Sequence, residues 1–288
     1  MNDESQNIDD NFEHATDAYE RKDYKTEYKL LLPLAEQGHA KAQYNLGLMY
    51  DLGNGVPQDY KQAVKWYQLS AEQGDAEAQF NLAQMYYEGQ GVAQDYKEAE
   101  KLFQLSAEQG DAEAQCNLGM MYVKGEGVAQ DYKEAEKWFR LAAKQENATA
   151  QYNLGIIYDE GRGVEKDYKE AVKWHRLSAE QGYANAQYNL GIMYARGEGV
   201  PEDNKEAVKW WKLSAEQGNE KAQVYLGLMY EEGHGVPQDY VLALMWLNIA
   251  GSNGDKEAVK NRNIIEKEMS TTQIEKAQEM ARNWKPKK

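Results

Sequence analysis

The sequence is poor in cysteine and in positive charge, and each shortage narrows the range of functions. Cys116 is the only cysteine among 288 residues, so no disulfide can form within the chain, and a reducing compartment is favoured. Lys and Arg number 33 against 48 Asp and Glu, which gives a formal net charge of -15. Because nucleic acids and anionic membranes are bound chiefly through Lys and Arg, we expect neither as a partner.

Long apolar runs and enzyme motifs are also lacking. No apolar stretch approaches the roughly 18 residues of a membrane span, and the first ten residues, MNDESQNIDD, lack the basic and apolar regions of a signal peptide. We therefore expect a soluble, cytoplasmic protein. The four histidines are scattered, and HExxH, CxxC and GxSxG motifs do not occur. The sequence thus predicts no metal site, no cofactor and no catalytic residue.

What the chain does contain is an internal repeat. The segment AQYNLG begins at Ala42, and related segments begin at positions 78, 114, 150, 186 and 222, each 36 residues after the last. A fixed period of roughly 20 to 50 residues predicts stacked structural repeats in which each unit contacts only its neighbours.

The first half of each unit has the pattern of an amphipathic helix, from about residue 40 to residue 52 in the first regular unit. Ala42, Leu46 and Met49 recur at i, i+4 and i+7, which is typical of a helix buried on one side. Glycine inside a helix is unfavourable, so we interpret the recurring Gly47 as a point where two helix backbones approach closely. Gly53 is placed to end the helix in a left-handed conformation.

A glycine-rich loop, G-N-G-V from Gly53, follows this helix and recurs in every unit. It could be mistaken for a phosphate-binding loop. However, a dinucleotide fingerprint needs a third glycine, and it lies between a strand and a helix. Neither requirement is met here, so we interpret the loop as structural.

A second helix is predicted from Asp59 or its equivalent to a closing glycine. In four units this Asp is followed three residues later by Glu, as in Asp95 and Glu98, which predicts an N-cap with a capping-box-like arrangement. A tryptophan column that includes Trp66 belongs to its apolar face. Glu146 replaces the closing glycine in one unit, and we expect Asn147 to help make that turn.

The two ends of the chain depart from the pattern. We predict a disordered acidic tail over residues 1–9, an N-terminal capping helix pair over 10–38, six repeats of 36 residues over 39–254, and a degenerate C-terminal repeat with a capping helix and basic tail over 255–288. Pro33 lies inside the second helix of the first pair and should bend it. Lys285 to Lys288 is interpreted as a solvated tail.

Together these residues read A-x-x-x-L-G-x-x-Y-x-x-G-x-G-V-x-x-D-Y-x-x-A-x-x-W-x-x-x-A-E-Q-G, which resembles the Sel1-like repeat, a relative of the tetratricopeptide repeat. The resemblance implies an all-α, right-handed α-α superhelical solenoid of about six to seven helix pairs, with the first helix of each pair on the concave side. It also implies an adaptor or scaffold role. One disulfide-rich branch has been linked to β-lactam binding; the paired cysteines are missing here and no Ser-x-x-Lys occurs, so that activity is not carried over.

Positions that vary between units are better candidates for function than positions fixed by the stacking. By the resemblance, the first-helix columns that contain residues 41, 44, 48, 51 and 52 face the groove. We therefore predict partner-binding residues at Tyr44, Leu48, Asp51, Phe80, Gln84, Tyr87, Glu88, Tyr152, Asp159, Tyr188, Arg196 and Glu231. Tyrosine suits such a surface because it offers a large contact area with a polar tip. The alternative is that the 44 and 48 columns pack between adjacent repeats, whereas exposure is favoured for the 51 column.

Two further columns admit both a structural and a functional reading. The asparagines equivalent to Asn45 suit a hydrogen bond to the backbone of the neighbouring repeat better than a peptide clamp. Cys116 occupies the position in its repeat that Tyr44 occupies in the first regular repeat. We interpret it as a small apolar residue and not as a reactive thiol.

We expect a non-enzymatic scaffold or adaptor that binds another protein or a peptide segment in the concave groove, with a monomer favoured. One alternative is an immunity or inhibitor protein that neutralises a specific bacterial toxin. Another is a hydrolase built on a carboxylate pair in a cleft, and a third is a self-assembling structural protein.

Overall fold

The computed structural model describes the backbone of residues 2–287 and the side chains of residues 10–287. Within that range it contains sixteen α-helices, one 3-10 helix (Glu266–Glu268) and no strand. The α-helices are α1 (Asn2–Glu20), α2 (Tyr24–Glu36), α3 (Ala40–Leu52), α4 (Tyr60–Ala71), α5 (Ala76–Glu88), α6 (Tyr96–Glu108), α7 (Ala112–Lys124), α8 (Tyr132–Lys144), α9 (Ala148–Glu160), α10 (Tyr168–Glu180), α11 (Ala184–Arg196), α12 (Asn204–Glu216), α13 (Glu220–Glu232), α14 (Tyr240–Ser252), α15 (Lys256–Ile265) and α16 (Thr271–Asn283). The predicted all-α class is confirmed.

The helices pack as consecutive pairs, and the pairs belong to two compact units. The first unit is Met1–Gln145, with helices α1 to α8, and the second is Glu146–Lys288, with helices α9 to α16. From α1 to α8 and from α9 to α15, each helix packs on its neighbours in the sequence, whereas α16 packs on α14. This nearest-neighbour packing is what a repeat array requires.

The predicted ends of the first helices are confirmed. Helix α5 begins where the Asp75 side chain accepts a hydrogen bond from the backbone N–H of Ala78, and it ends at Gly89, which has a left-handed φ of 73°. In α3 the cap is His39, whose Nδ1 accepts from the Ala42 N–H at 3.1 Å. Side-chain caps of this kind satisfy backbone donors that the helix itself leaves unpaired.

The second helices are capped as predicted by aspartate, but the capping box is incomplete. Asp95 accepts hydrogen bonds from the backbone N–H groups of Lys97 and Glu98. The carboxylate of Glu98 pairs with Lys101 at 3.2 Å, and Glu170 and Glu206 likewise pair with the lysine three residues later. The expected reciprocal contact of the glutamate was therefore wrong, because the nearby lysine offers a charged partner.

The interpretation of Gly47 was also wrong. A Cβ atom added at Gly47 would lie 2.4 Å from Cδ1 of Tyr67, and one added at Gly191 would lie 2.5 Å from Nε1 of Trp211. The close approach is thus between the first-helix backbone and a buried ring of the second helix in the same repeat. Glycine recurs there because a side chain would displace that ring, although the second repeat accommodates the small Ala83 at this position.

The second glycine of the connecting loop makes a different close approach. Gly199 has a φ of +73°, and a Cβ atom there would lie 2.2 Å from the carbonyl oxygen of Tyr168, the first residue of α10. The same close approach to the backbone of the preceding second helix is found at Gly55, Gly91, Gly127 and Gly235. This contact supports the structural reading of the loop over the phosphate-binding one.

A ladder of buried glutamines joins successive helix pairs, and the sequence analysis did not foresee it. Gln79 donates from Nε2 to the carbonyl oxygen of Ala71 at 3.2 Å, and its Oε1 accepts from Nε2 of Gln109 at 2.8 Å. The side chain thereby links the end of one second helix, the next first helix and the second helix after that. Buried serines add a further link, as where Ser70 donates to the Ala40 carbonyl at 2.9 Å.

The ladder ends at Gln223. Its Nε2 donates to the Ala215 carbonyl at 3.2 Å, but its Oε1 has no hydrogen-bond partner among the described residues. The position that should supply the partner, 36 residues after Gln217, is occupied by Asn253, whose shorter side chain does not complete the pair.

This difference allows a matched test of the ladder. Gln79→Leu removes two hydrogen bonds and should destabilise the protein by about 2 kcal/mol, whereas Gln223→Leu removes one and should cost about 1 kcal/mol or less. Urea denaturation followed by circular dichroism measures both values. Equal losses for the two variants would show that the ladder bond to Gln109 contributes nothing.

The segment at the boundary of the two units and both chain ends depart locally from the repeat pattern. Glu146 has a left-handed φ of 64°, and Asn147 caps α9 by accepting from the Ala150 N–H, which confirms its predicted role. Helix α1 is assigned from Asn2, within the segment expected to be disordered, and the side chains of residues 1–9 lie outside the described residues.

At the C-terminus, the Lys287 ammonium group lies 2.7 Å from the Glu216 carboxylate. The backbone N–H of Lys287 also donates to the Glu216 carbonyl at 2.7 Å. Residues 285–287 are exposed, as expected of a solvated tail, but Glu216 holds Lys287 through both a charge and a backbone acceptor.

Candidate functional site

The candidate surface is the first-helix face, which we define as the accessible side of α3, α5 and α7 in the first unit and of α9, α11 and α13 in the second. All twelve predicted residues keep solvent-accessible surface. Gln84, Glu88 and Arg196 are exposed. The half-buried residues are Tyr44, Leu48, Asp51, Phe80, Tyr87, Tyr152, Asp159, Tyr188 and Glu231.

The aromatic column of this face packs against the second helices while keeping one edge accessible. The ring centroids of Tyr44 and Tyr67 lie 5.9 Å apart, and those of Phe80 and Phe103 lie 5.7 Å apart. These separations are typical of aromatic pairs that stabilise a fold. The 44 column therefore has a structural role within each repeat.

The same column also makes contacts between adjacent repeats, as the alternative reading proposed. Tyr152 lies 5.1 Å from the ring of Tyr183, which caps α11, and Tyr188 lies 5.9 Å from the ring of Tyr225 on α13. Cys116, on the same column, is buried, and burial raises the pKa of its thiol to about 12. It is a protonated, inert core residue.

Burial also keeps the phenols of this face protonated. It raises the pKa of Tyr44 and of Tyr188 to about 12 in each case. The hydroxyl of Tyr67 donates to Oδ2 of Asp51 at 3.2 Å, and burial raises the pKa of that Asp51 carboxyl although this hydrogen bond opposes the shift. The floor of the face is thus apolar and mostly neutral.

In the first unit a pocket of about 260 Å³ opens between α5 and α7. It is lined by three predicted residues, Gln84, Tyr87 and Glu88, together with Met120 and Lys124 among others. Such a mixture of an aromatic ring, thioether side chains and charged edges suits the side chains of a protein segment.

The hydroxyl group of Tyr87 is held by two charged neighbours. It donates to Oε2 of Glu126 at 2.6 Å and accepts from Nζ of Lys124 at 2.8 Å, and Lys124 and Glu126 form an ion pair at 3.5 Å. This cluster fixes the orientation of the ring at the edge of the pocket. The sequence analysis missed it because Glu126 lies in the glycine-rich loop, outside the helical columns.

In the second unit a smaller pocket of about 160 Å³ is lined by Asp159, Lys166, Arg196 and Glu198, with His175 among its other residues. The predicted residues Asp159 and Arg196 thus line one pocket, where charges of both signs meet. The second unit therefore offers a more polar surface than the pocket of the first unit.

The asparagine column is structural, but not in the manner expected. Asn153 donates from Nδ2 to the carbonyl oxygen of Thr149 in its own helix at 2.9 Å, so the expected bond to a neighbouring backbone is wrong there. Asn81 and Asn189 lie beside tyrosine hydroxyls of the preceding repeat, Tyr44 and Tyr152, and their hydrogen bonding opposes the rise in the pKa of those phenols.

Among the described residues, no three His, Cys, Asp or Glu side chains are grouped so that they could hold a metal ion. No helix of that part of the chain is long and apolar enough to cross a membrane.

Two solved structures resemble this chain over most of its length. A Sel1 repeat protein from Oxalobacter formigenes is 36% identical, with 84% of this chain and 96% of that protein covered and a TM-score of 0.75. The structure of c5321, a protective antigen present in uropathogenic Escherichia coli strains that displays an SLR fold, is 35% identical over 91% of this chain, with a TM-score of 0.62. This chain spans 64% of the length of c5321.

More distant matches carry less weight. The immunity protein Pa5087 from Pseudomonas aeruginosa is 21% identical, with 73% of this chain and 80% of that protein covered, and its TM-score of 0.43 supports no argument about function. No curated protein matches the chain.

The Sel1 repeat model matches six consecutive segments, at 40–75, 76–111, 112–147, 148–183, 184–219 and 220–255. Because these segments cover most of the sequence and coincide with the observed helix pairs, the chain belongs to the Sel1 repeat family.

Proposed function

We propose that this chain is a non-enzymatic interaction module that binds a segment of another protein on its first-helix face. Sel1 repeat proteins are generally protein-interaction scaffolds, and the family match indicates no catalytic activity. The observation that carries the proposal is that each repeat buries its lattice residues, such as Ala42 and Leu46, but leaves the variable positions of the 48 and 51 columns accessible.

The chemistry of the accessible positions varies from repeat to repeat, as recognition of one particular segment requires. The column of Leu48 continues as Gln84 and Met120 in the first unit. Gln84 is exposed, and Leu48 and Met120 are half-buried. The column of Asp51 continues as Tyr87. Together with the net charge of -15, the acidic edges favour a partner segment that carries positive charge.

A pair of matched double variants tests this proposal. Gln84 and Glu88 are exposed on α5, four residues apart on the first-helix face. Gln68 on α4 and Glu72, the C-cap residue of α4, are also exposed and four residues apart, but they belong to a second helix of the same unit. Gln84→Lys with Glu88→Lys should weaken partner binding by about tenfold or more, whereas Gln68→Lys with Glu72→Lys, which adds the same charge, should leave it unchanged.

The measurement is affinity capture from the native extract with quantitative mass spectrometry on wild type and both variants, followed by titration of the recovered partner. Proteins retained by wild type and by the α4 variant, but lost from the α5 variant, support the proposal. Equal retention by the two variants would place the binding surface elsewhere. Recovery of one dominant toxic partner would favour the inhibitor alternative over a scaffold that retains several proteins.

A further inference from the structure

The N-terminal helix pair carries a buried acidic residue at a position that is alanine in every regular repeat. Glu27, in the first turn of α2, is only 4% exposed. The equivalent residues of the six repeats are fully buried alanines, namely Ala63, Ala99, Ala135, Ala171, Ala207 and Ala243. The stacking of helix pairs therefore does not require a carboxyl group at this place.

The carboxyl group of Glu27 has no compensating partner within the described residues. Its Oε2 is enclosed and makes no hydrogen bond there, and no described cation lies within ion-pair distance of it. Burial alone raises the pKa of this carboxyl to about 7. A buried carboxyl group without a partner is unfavourable, so its presence points to a group that comes from outside.

Glu27 lines a pocket that has room for such a group. The pocket measures about 240 Å³ and lies between α1, α2 and α3. Its lining combines apolar surface from Tyr19, Leu48, Met49 and Leu52 with the polar residues Thr16, Asn45 and Asn54. This volume is below the roughly 300–1,000 Å³ of small-molecule sites, so it fits a single side chain better than a whole cofactor.

The pocket is continuous with the first-helix face. Leu48 belongs to both, and the pocket lies between first helices α1 and α3 as the Tyr87 pocket lies between α5 and α7. Apolar walls with a carboxyl group at the base match a side chain that has an aliphatic stem and a cationic tip. Because Oε2 is enclosed, the carboxylate does not offer both oxygens to a forked guanidinium group, and a compact ammonium group suits it better.

We propose that this pocket receives a lysine side chain of the partner segment, with its ammonium group at Glu27. This inference rests on the proposed function, because it assigns one anchor of the segment bound to the first-helix face. The stem would lie against Leu48, Met49 and Leu52, and the ammonium group would donate to the Glu27 carboxylate. The partner's lysine thereby supplies the counter-charge that the described part of the chain does not provide.

A small probe tests the pocket without knowledge of the partner. n-Butylammonium mimics the end of a lysine side chain, and 1-butanol has the same stem without the charge. Both are titrated into full-length protein carrying ¹³C-methyl-labelled methionine, and the Met49 signal, assigned with Met49→Leu, is followed by NMR. Wild type should bind n-butylammonium saturably and more tightly than 1-butanol.

The same titrations on two variants identify the group responsible. Glu27→Ala installs the residue found in six repeats, and Glu27→Gln keeps the shape of the side chain. Each should weaken n-butylammonium binding by about tenfold or more and leave 1-butanol binding unchanged. Binding of n-butylammonium that is no tighter than that of 1-butanol, or that survives Glu27→Gln, would overturn the inference.

The captured partner separates this inference from the proposed function. Glu27→Ala should weaken partner binding about as much as replacement of the docking lysine in the partner by methionine. If Glu27→Ala has no effect while the Gln84 and Glu88 variant abolishes binding, the lysine anchor is wrong and the proposed function stands. If neither variant affects partner binding, the proposed function fails, although the probe result for the pocket is still decided by NMR.

Discussion

Gly199→Ala is expected to destabilise the second unit by about 3 kcal/mol or more. Two costs combine at this position. The φ of +73° is unfavourable for alanine, and the new Cβ would lie 2.2 Å from the carbonyl oxygen and 2.5 Å from the carbonyl carbon of Tyr168. Because those atoms belong to the backbone of α10, no side-chain rotation can relieve the clash.

Gly182→Ala is the matched control for this variant. Gly182 also has a left-handed φ, of +91°, but nothing lies within 4 Å of an added Cβ, so only the backbone cost of about 1 kcal/mol applies. Denaturant unfolding of both variants gives the two values. The difference between the two losses in the free energy of unfolding measures the cost of the close approach of the loop to the preceding helix. Equal losses would mean that the loop readily moves away from that helix.

The second large effect concerns acid. His175 is 1% exposed, its Nδ1 has no hydrogen-bond partner among the described residues, and burial lowers its pKa from 6.5 to about 4. The unfolded chain therefore binds a proton as the pH falls below about 6.5, whereas the folded chain resists it down to about pH 4. This group should remove about 3 kcal/mol of stability between these two pH values, and nothing above them.

His175→Phe tests the effect because phenylalanine already occupies the equivalent positions Phe103 and Phe139. The variant should resemble wild type at pH 7.5 and exceed it in stability near pH 4.5, as measured by urea denaturation across the pH range. His14→Gln, at an exposed position, is the control and should leave the pH profile unchanged. If His175→Phe loses as much stability at low pH as wild type does, the loss comes from other groups.

Much of the fold could be predicted because the stacking repeats one set of local rules. Helix α3 was expected from about residue 40 to residue 52 and is found at Ala40–Leu52. Asn147 was expected to help the turn beside Glu146 and caps α9. Such features depend on short-range chemistry, namely helix periodicity, aspartate or asparagine caps and glycine ends, which the sequence displays directly.

The errors concern contacts between segments that are distant in the sequence. A recurring glycine signals a close approach, but only the coordinates show that Gly47 faces the ring of Tyr67 and not another backbone. The glutamine ladder was visible as a column containing Gln43 and Gln79. Because glutamine is usually a surface residue, a glutamine that recurs at a buried position indicates a structural hydrogen bond. This indication was overlooked.

The candidate surface was predictable only in outline. Gln84 and Glu88 are exposed on α5, and that their columns face the groove is still a prediction from the family resemblance. Tyr152 and Tyr188 also lie on first helices, but ring contacts tie them to adjacent residues. Glu27 was missed although it interrupts a column of alanines at the 36-residue spacing. The N-terminal pair has a shorter connecting loop than the six repeats, so its alignment with their alanine column is not evident from the sequence.

The ladder constrains how such a chain can change in length during evolution. Each rung joins a glutamine to a carbonyl eight residues earlier and to an amide thirty residues later, as at Gln79. Inserting one residue between the helix cap Asp75 and Gln79 would rotate the glutamine by about 100° around its helix and break the rung. Duplication or loss of an entire 36-residue unit leaves every rung intact, so the array can gain or shed binding surface only in whole steps.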